Sequence, residues 1–125
     1  SELIDSYLAS NFKKTINILN ENNFSIEDCM LITRTLLVKS KRLYKLLVEI
    51  NNNKSIEEAI SSFNPPIFWK DKETVKQQIK NWSLNRAENL IYKTNELELL
   101  IKKNSNNSIN ILSDFIINQP NRISN

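Results

Sequence analysis

None of the 125 residues is glycine. The residue that most easily adopts left-handed backbone is missing, so a helix that ends in that conformation must rely on asparagine, the next most tolerant side chain. Asparagines cluster at three places: Asn22 and Asn23, Asn51 to Asn53, and Asn104, Asn106 and Asn107. Helical apolar spacing fills the stretches between them. Heavy use of Asn, Ile and Lys without Gly is also what a low-GC genome writes, so the asparagine-rich segments need no chemical explanation of their own. The same absence removes any glycine-rich phosphate loop and argues against nucleotide hydrolysis by this chain.

Leu3, Ile4, Tyr7 and Leu8 form one short apolar face, and Phe12, Ile16 and Leu19 form another after Ser10. This predicts two short helices or one with a break. Ser25 with Asp28 three residues on has the form of a capping box. It opens a long helix with apolar positions Ile26, Cys29, Met30, Thr33, Leu36, Leu37, Leu43, Leu47 and Ile50. Leu31, Val38, Leu46 and Val48 lie off that stripe, which predicts a helix central to a bundle, with partner contact as the alternative use of the extra face. Ser55 and Glu58 repeat the capping pattern for a short helix through Ile56, Ala59, Ile60 and Phe63. Pro65 and Pro66 stop it. With Asp71 as its cap, a further helix carries Val75, Ile79 and Trp82, and a long one from Ser83 carries Leu84, Ala87, Leu90, Ile91, Leu97, Leu100 and Ile101. The segment from Ser108 to about Asn118 predicts a last helix, although its β-branched content leaves a strand as the alternative. The expectation is an all-α fold: a compact bundle of six or seven helices in one domain over residues 1–118, then a loose polar tail over 119–125 that begins around Pro120.

Hydrophobic residues make up 40% and charged residues 25% of the chain, the balance of a globular protein, and no apolar run approaches the ~20 residues that span a bilayer. A soluble protein is expected. With one cysteine, Cys29, and no histidine, neither an internal disulfide nor the common zinc sets can form, which suits a reducing cytoplasm. Nucleophile arrangements that depend on histidine are removed as well, and the acidic residues show no obvious catalytic pair. No enzyme activity and no cofactor or metal are expected. The opening residues "SELIDSYLAS" have neither a methionine start nor a signal-peptide core, so the chain reads as a piece of a larger protein.

The least ordinary stretch is "FNPPIFWKDK", residues 63–72. Two prolines stiffen it, and neighbouring residues of an extended segment point opposite ways, so one ring of Phe68 and Trp69 is expected inside and one outside. The plain reading is a plug for the bundle; the functional one is a ring held at the surface to stack on an unpaired base or enter a partner's pocket. Lys72, Lys76 and Lys80 recur every four residues and form one row on the helix that follows. A solvated face is the ordinary use of such a row, but beside an exposed ring it has the layout of a single-strand contact. Lys39, Lys41, Arg42 and Lys45 form a second basic group spread around the long helix, and Lys13 and Lys14 are a pair only. Cys29 reads as a small buried hydrophobe.

The order of elements, together with "SSFNPPIFWKDKETVKQQIKNWSLNRAENLIYKTNELELLIKKN" and upstream "FKKTINILNENNFSIEDCMLITRTLLVKSKRLYKLLV", resembles the carboxy-terminal domain of the delta subunit of bacterial DNA polymerase III, a clamp-loader subunit. The carrying positions are Pro65, Pro66, Ile67 and Phe68 in the turn and Trp82 with Ser83 at the end of the next helix. The likeness covers about residues 3–117. It departs from the family around Asn104, where asparagines replace a frequent glycine.

The resemblance implies a non-catalytic collar domain that joins other clamp-loader subunits of gamma/tau and delta-prime type into a ring, supporting sliding-clamp loading onto primed DNA. The clamp itself would be met only through amino-terminal domains that precede this region. The family's aromatic turn, near held primer-template DNA, maps onto Phe68 and Trp69, with Lys72, Lys76 and Lys80 beside them as further DNA-contact candidates. Leu31, Val38, Arg42 and Leu46 on the long helix are the subunit-interface candidates. The alternative is a helical, sequence-specific DNA-binding domain reading bases through Gln77, Gln78 and Asn81. Membrane contact belongs to neither reading.

Overall fold

A computed structural model describes residues 1–118, so the tail expected over 119–125, with Pro120, lies outside the described residues. Among the described residues there are seven α-helices and no strand: α1 (Glu2–Leu8), α2 (Phe12–Glu21), α3 (Ile26–Asn51), α4 (Ile56–Ser61), α5 (Lys72–Asn81), α6 (Leu84–Lys103) and α7 (Ser108–Ile117). Single 3₁₀ turns at Trp69–Asp71 and Ser105–Asn107 lead into α5 and α7. The segment that had a strand as its alternative is helical.

The starts of the helices follow from local chemistry. At α3 the Ser25 hydroxyl accepts from the Asp28 amide and the Asp28 carboxylate accepts from the Ser25 amide, both at 3.0 Å. Ser55 and Glu58 do the same for α4 at 3.1 Å each. Two orphan amides are satisfied at each end. Ser83 caps α6 by accepting from the Arg86 amide at 3.2 Å. Asp71 makes no side-chain cap bond at α5, contrary to expectation. Its backbone (φ −92°, ψ −10°) is already helical after the 3₁₀ turn, whereas a capping side chain reaches back from extended backbone.

The helix ends at Asn22, Asn52 and Asn104 use asparagine as expected, but among the described residues Asn53 is the one asparagine with positive φ (74°). The other left-handed residue among those described is Ser10 (φ 60°), at the break between α1 and α2. Asn104 ends α6 at φ −135°, with its side-chain amide donating back to the Leu100 carbonyl at 2.9 Å.

One cluster of buried side chains draws on all seven helices. α3 is central: it packs most extensively on α6 and also touches α1, α4, α5 and α7. Neighbours on several sides account for the burial of Leu46 off the main stripe, whereas Leu31 and Val38 stay exposed. The inner face of α2 is rotated from expectation. Ile16 is exposed, and the fully buried position is Thr15, whose hydroxyl lies 2.9 Å from that of Ser6 and donates to the Asn11 carbonyl at 2.7 Å. With its polar atom satisfied, a threonine packs there like an apolar residue.

Candidate functional site

The turn after α4 is held from its middle. Ile67 is buried in the core and Phe63 half-buried against it, while Asn64, Pro65 and Pro66 remain exposed, with a cis peptide between Asn64 and Pro65. Both Phe68 and Trp69 are exposed, at 56% and 70%, which corrects the expectation of one ring inside. The alternation of extended backbone does operate, but between Ile67 and Phe68. Phe68 (φ −57°, ψ 134°) is the last extended residue, and the 3₁₀ turn beginning at Trp69 leaves its ring outside as well. The two rings tilt against each other at 54° with centroids 5.9 Å apart, and the Lys70 ammonium sits 5.5 Å from the Trp69 centroid. Part of each aromatic surface is thereby shielded, and the outer part remains open.

The lysine row is less uniform than its spacing suggests. Lys80 is exposed and Lys72 half-buried, but the Lys76 ammonium lies 3.6 Å from the Glu57 carboxylate on α4. With the carboxylate exposed and the lysine half-buried, this surface pair holds little energy, yet it directs the middle lysine toward α4.

The polar side chains assigned to base reading in the alternative are largely committed elsewhere. Gln78 is buried and donates to the Asp5 carbonyl at 3.3 Å. Asn81 donates to the carbonyls of Ala9 at 3.2 Å and Gln77 at 2.7 Å. Beside them the Trp82 indole donates to the Leu8 carbonyl at 2.8 Å, and Arg86 stacks 4.7 Å above the Trp82 ring while donating to the Asn81 carbonyl at 3.0 Å. Three side chains from α5 and its end thus donate to carbonyls of α1 and its cap: those of Leu8 and Ala9 lie past the last intrahelical bond, and that of Asp5 also accepts from the Ala9 amide at 3.1 Å. Of the three reading candidates, Gln77 alone is exposed.

On α3, Leu31 and Val38 are exposed at 63% and 67%, and Arg42 is half-buried. Leu46 is fully buried and drops out of the interface candidates. It falls three residues after Leu43, and the crowded side of α3 is wide enough to include both. The second basic group on this helix divides. Lys39 turns inward to the Asp5 carboxylate at 2.6 Å, joining α3 to α1. Lys41, Arg42 and Lys45, with Val38, form one wall of a groove of ≈ 500 Å³ whose other wall is Phe63 to Phe68 with Asp71. Residue spacing showed these cations but not the wall opposite them, because the turn reaches α3 only in the folded chain.

A second open groove, ≈ 580 Å³, lies between α6 and α7 and brings Lys93, Glu96 and Asp114 alongside Leu100, Ile111 and Phe115. The Asp114 carboxylate there accepts from the Asn118 side-chain amide at 2.6 Å. Among the described residues no group of three or more His, Cys, Asp and Glu is placed to hold a metal ion. Cys29 is fully buried, and burial pushes its thiol above the ordinary cysteine value, with the Asp28 charge adding to the shift. That favours the inert thiol over the nucleophilic thiolate. No helix among the described residues is long and apolar enough to cross a membrane.

Comparison of the chain with protein-family models, curated proteins and solved structures finds no match. Fold and site together define an all-helical bundle with an exposed aromatic turn beside a basic groove.

Proposed function

We propose that this chain is a non-catalytic assembly domain of the delta subunit of a bacterial DNA polymerase III clamp loader, working in the cytoplasm. It contributes to the collar formed with gamma/tau-type and delta-prime-type subunits, which supports sliding-clamp loading onto primed DNA. The observation that carries this reading is the turn itself: Ile67 anchors it in the core while Phe68 and Trp69 stand in solvent beside Lys70 and Lys72. Rings offered by a stiff, anchored segment lose little freedom on stacking, and neighbouring ammonium groups draw in phosphate. Leu31, Val38 and Arg42 remain as docking positions on α3. Contact with DNA is weak alone and gains strength when other subunits hold the same primer-template.

The direct test is retention of the purified chain by immobilised gamma/tau-type and delta-prime-type subunits at micromolar concentration, and no retention there sinks the reading. Trp69 fluorescence separates the nucleic-acid outcomes. The assembly reading expects shallow, salt-sensitive quenching by a recessed primer-template, lost in Trp69→Ala. Tight binding that prefers one duplex sequence would instead favour a base-reading domain.

A further inference from the structure

The groove between α3 and the proline turn has an unbalanced charge. Its rim holds three cations, Lys41, Arg42 and Lys45, against the single carboxylate of Asp71. Elsewhere Lys14, Lys39, Lys54, Lys76 and Lys102 each have a carboxylate within 4.0 Å. Among the described residues none lies that close to Lys41, Arg42 or Lys45, although Asp71 shares their groove. Apart from Asn64 and Asp71, the wall opposite is apolar, formed by Phe63, Pro65, Pro66, Ile67 and Phe68, and Val38 adds an apolar position on the cationic side.

We propose that this groove docks a short acidic peptide segment of a partner protein, with a large apolar side chain seated between Val38 and Phe68 and its carboxylates on Lys41, Arg42 and Lys45. Charge complementarity sets the sign of the partner, because unpaired cations beside apolar surface leave favourable electrostatics to an anionic occupant. The prolines set how it is read. Pro65 and Pro66 have no backbone N–H, so that wall cannot extend into a β-ladder with the guest, and recognition falls to side chains. A volume of ≈ 500 Å³ accommodates an apolar anchor with its flanks rather than a whole folded face. Aliphatic Val38 and the two proline rings suit an apolar side chain better than a flat base. The proposal goes beyond the collar reading and does not require it.

The test uses the 125-residue chain and a short fluorescein-labelled peptide that alternates aspartate with leucine and phenylalanine, followed by fluorescence anisotropy at low salt. Binding with Kd of about 10 to 100 µM is expected, and Arg42→Glu, Lys45→Glu and Val38→Asp each weaken it about tenfold. Lys13→Glu, in the basic pair on α2, leaves it within about twofold, since charge remote from the groove acts only through a screened field. Circular dichroism verifies that each variant remains folded. Replacing the peptide's aspartates by asparagine, or its leucines and phenylalanines by serine, should also abolish binding, and this arm requires no protein variant. The idea is overturned by absence of binding, by equal loss in Lys13→Glu, or by persistence of binding after either peptide change. An oligothymidine that binds more tightly and displaces the peptide would equally overturn it, making the groove a nucleic-acid site. Subunit retention is measured separately, so failure of one proposal is distinguishable from failure of the other.

Discussion

Trp82 shows how much one side chain can hold together. It is 8% exposed, donates its indole N–H to the Leu8 carbonyl, packs tilted against Tyr7 with centroids 6.4 Å apart, and lies under the Arg86 guanidinium. Trp82→Phe preserves most of the apolar area but leaves a buried carbonyl without this donor. We expect a loss of about 1–3 kcal/mol in urea unfolding. A loss below about 0.5 kcal/mol, the size of ordinary surface changes, would show that the bond contributes little. On α3, Leu46 and Val38 make a contrasting pair, one fully buried and one 67% exposed. Leu46→Ala should cost about 2–5 kcal/mol of stability through the cavity it leaves. Val38→Asp should change stability by no more than about 0.5 kcal/mol, so any effect it has on binding is a surface effect. Thermal and urea unfolding of the two variants checks both.

At the scale of the element, the short helices depend on their ends. α4 has six residues, too few to be helical alone, and is closed by the reciprocal bonds of Ser55 and Glu58. The Ser55 amide, then the Ser55 hydroxyl, hold the Glu58 carboxyl below its ordinary value of 4.5. A carboxyl with a folded value below the unfolded one adds stability above the unfolded value, and that contribution is lost as pH falls through the folded value. The chain should therefore weaken as acidity increases below about pH 4.5, in part through this residue. Glu58→Gln retains an acceptor without the titration, so the slope of the urea midpoint against pH should flatten in that acid window. An unchanged slope would remove Glu58 from the account. The aromatic turn depends on α4 too, since α4 delivers the chain to Phe63 and Ile67, the side chains that anchor it.

For the whole molecule, the central position of α3 is what brings function-bearing groups together. It meets five other helices on its crowded sides, leaving Leu31, Val38, Lys41 and Lys45 on the surface. The turn between α4 and α5 crosses to that helix and converts a row of cations into a groove. The Lys39–Asp5 pair and the three bonds from Gln78, Asn81 and Trp82 fix α1 against α3 and α5. The bundle is thus braced on one side and presents the turn and basic groove at its surface, an arrangement suited to docking.

Helix content, the capping boxes at Ser25 and Ser55, the breaks near Ser10 and at the prolines, and the burial of Val75, Ile79 and Trp82 were all determined by the sequence alone. Capping and periodicity act between residues a few positions apart, so they are legible without a fold. The exposed fate of both rings, the burial of Leu46, the commitment of Gln78 and Asn81 to α1, and the division of Lys39 from Lys41, Arg42 and Lys45 were decided only by tertiary structure. Each depends on what stands opposite: Asp5 lies 34 positions from Lys39 and 73 from Gln78 along the chain, and local spacing contains no record of partners so distant.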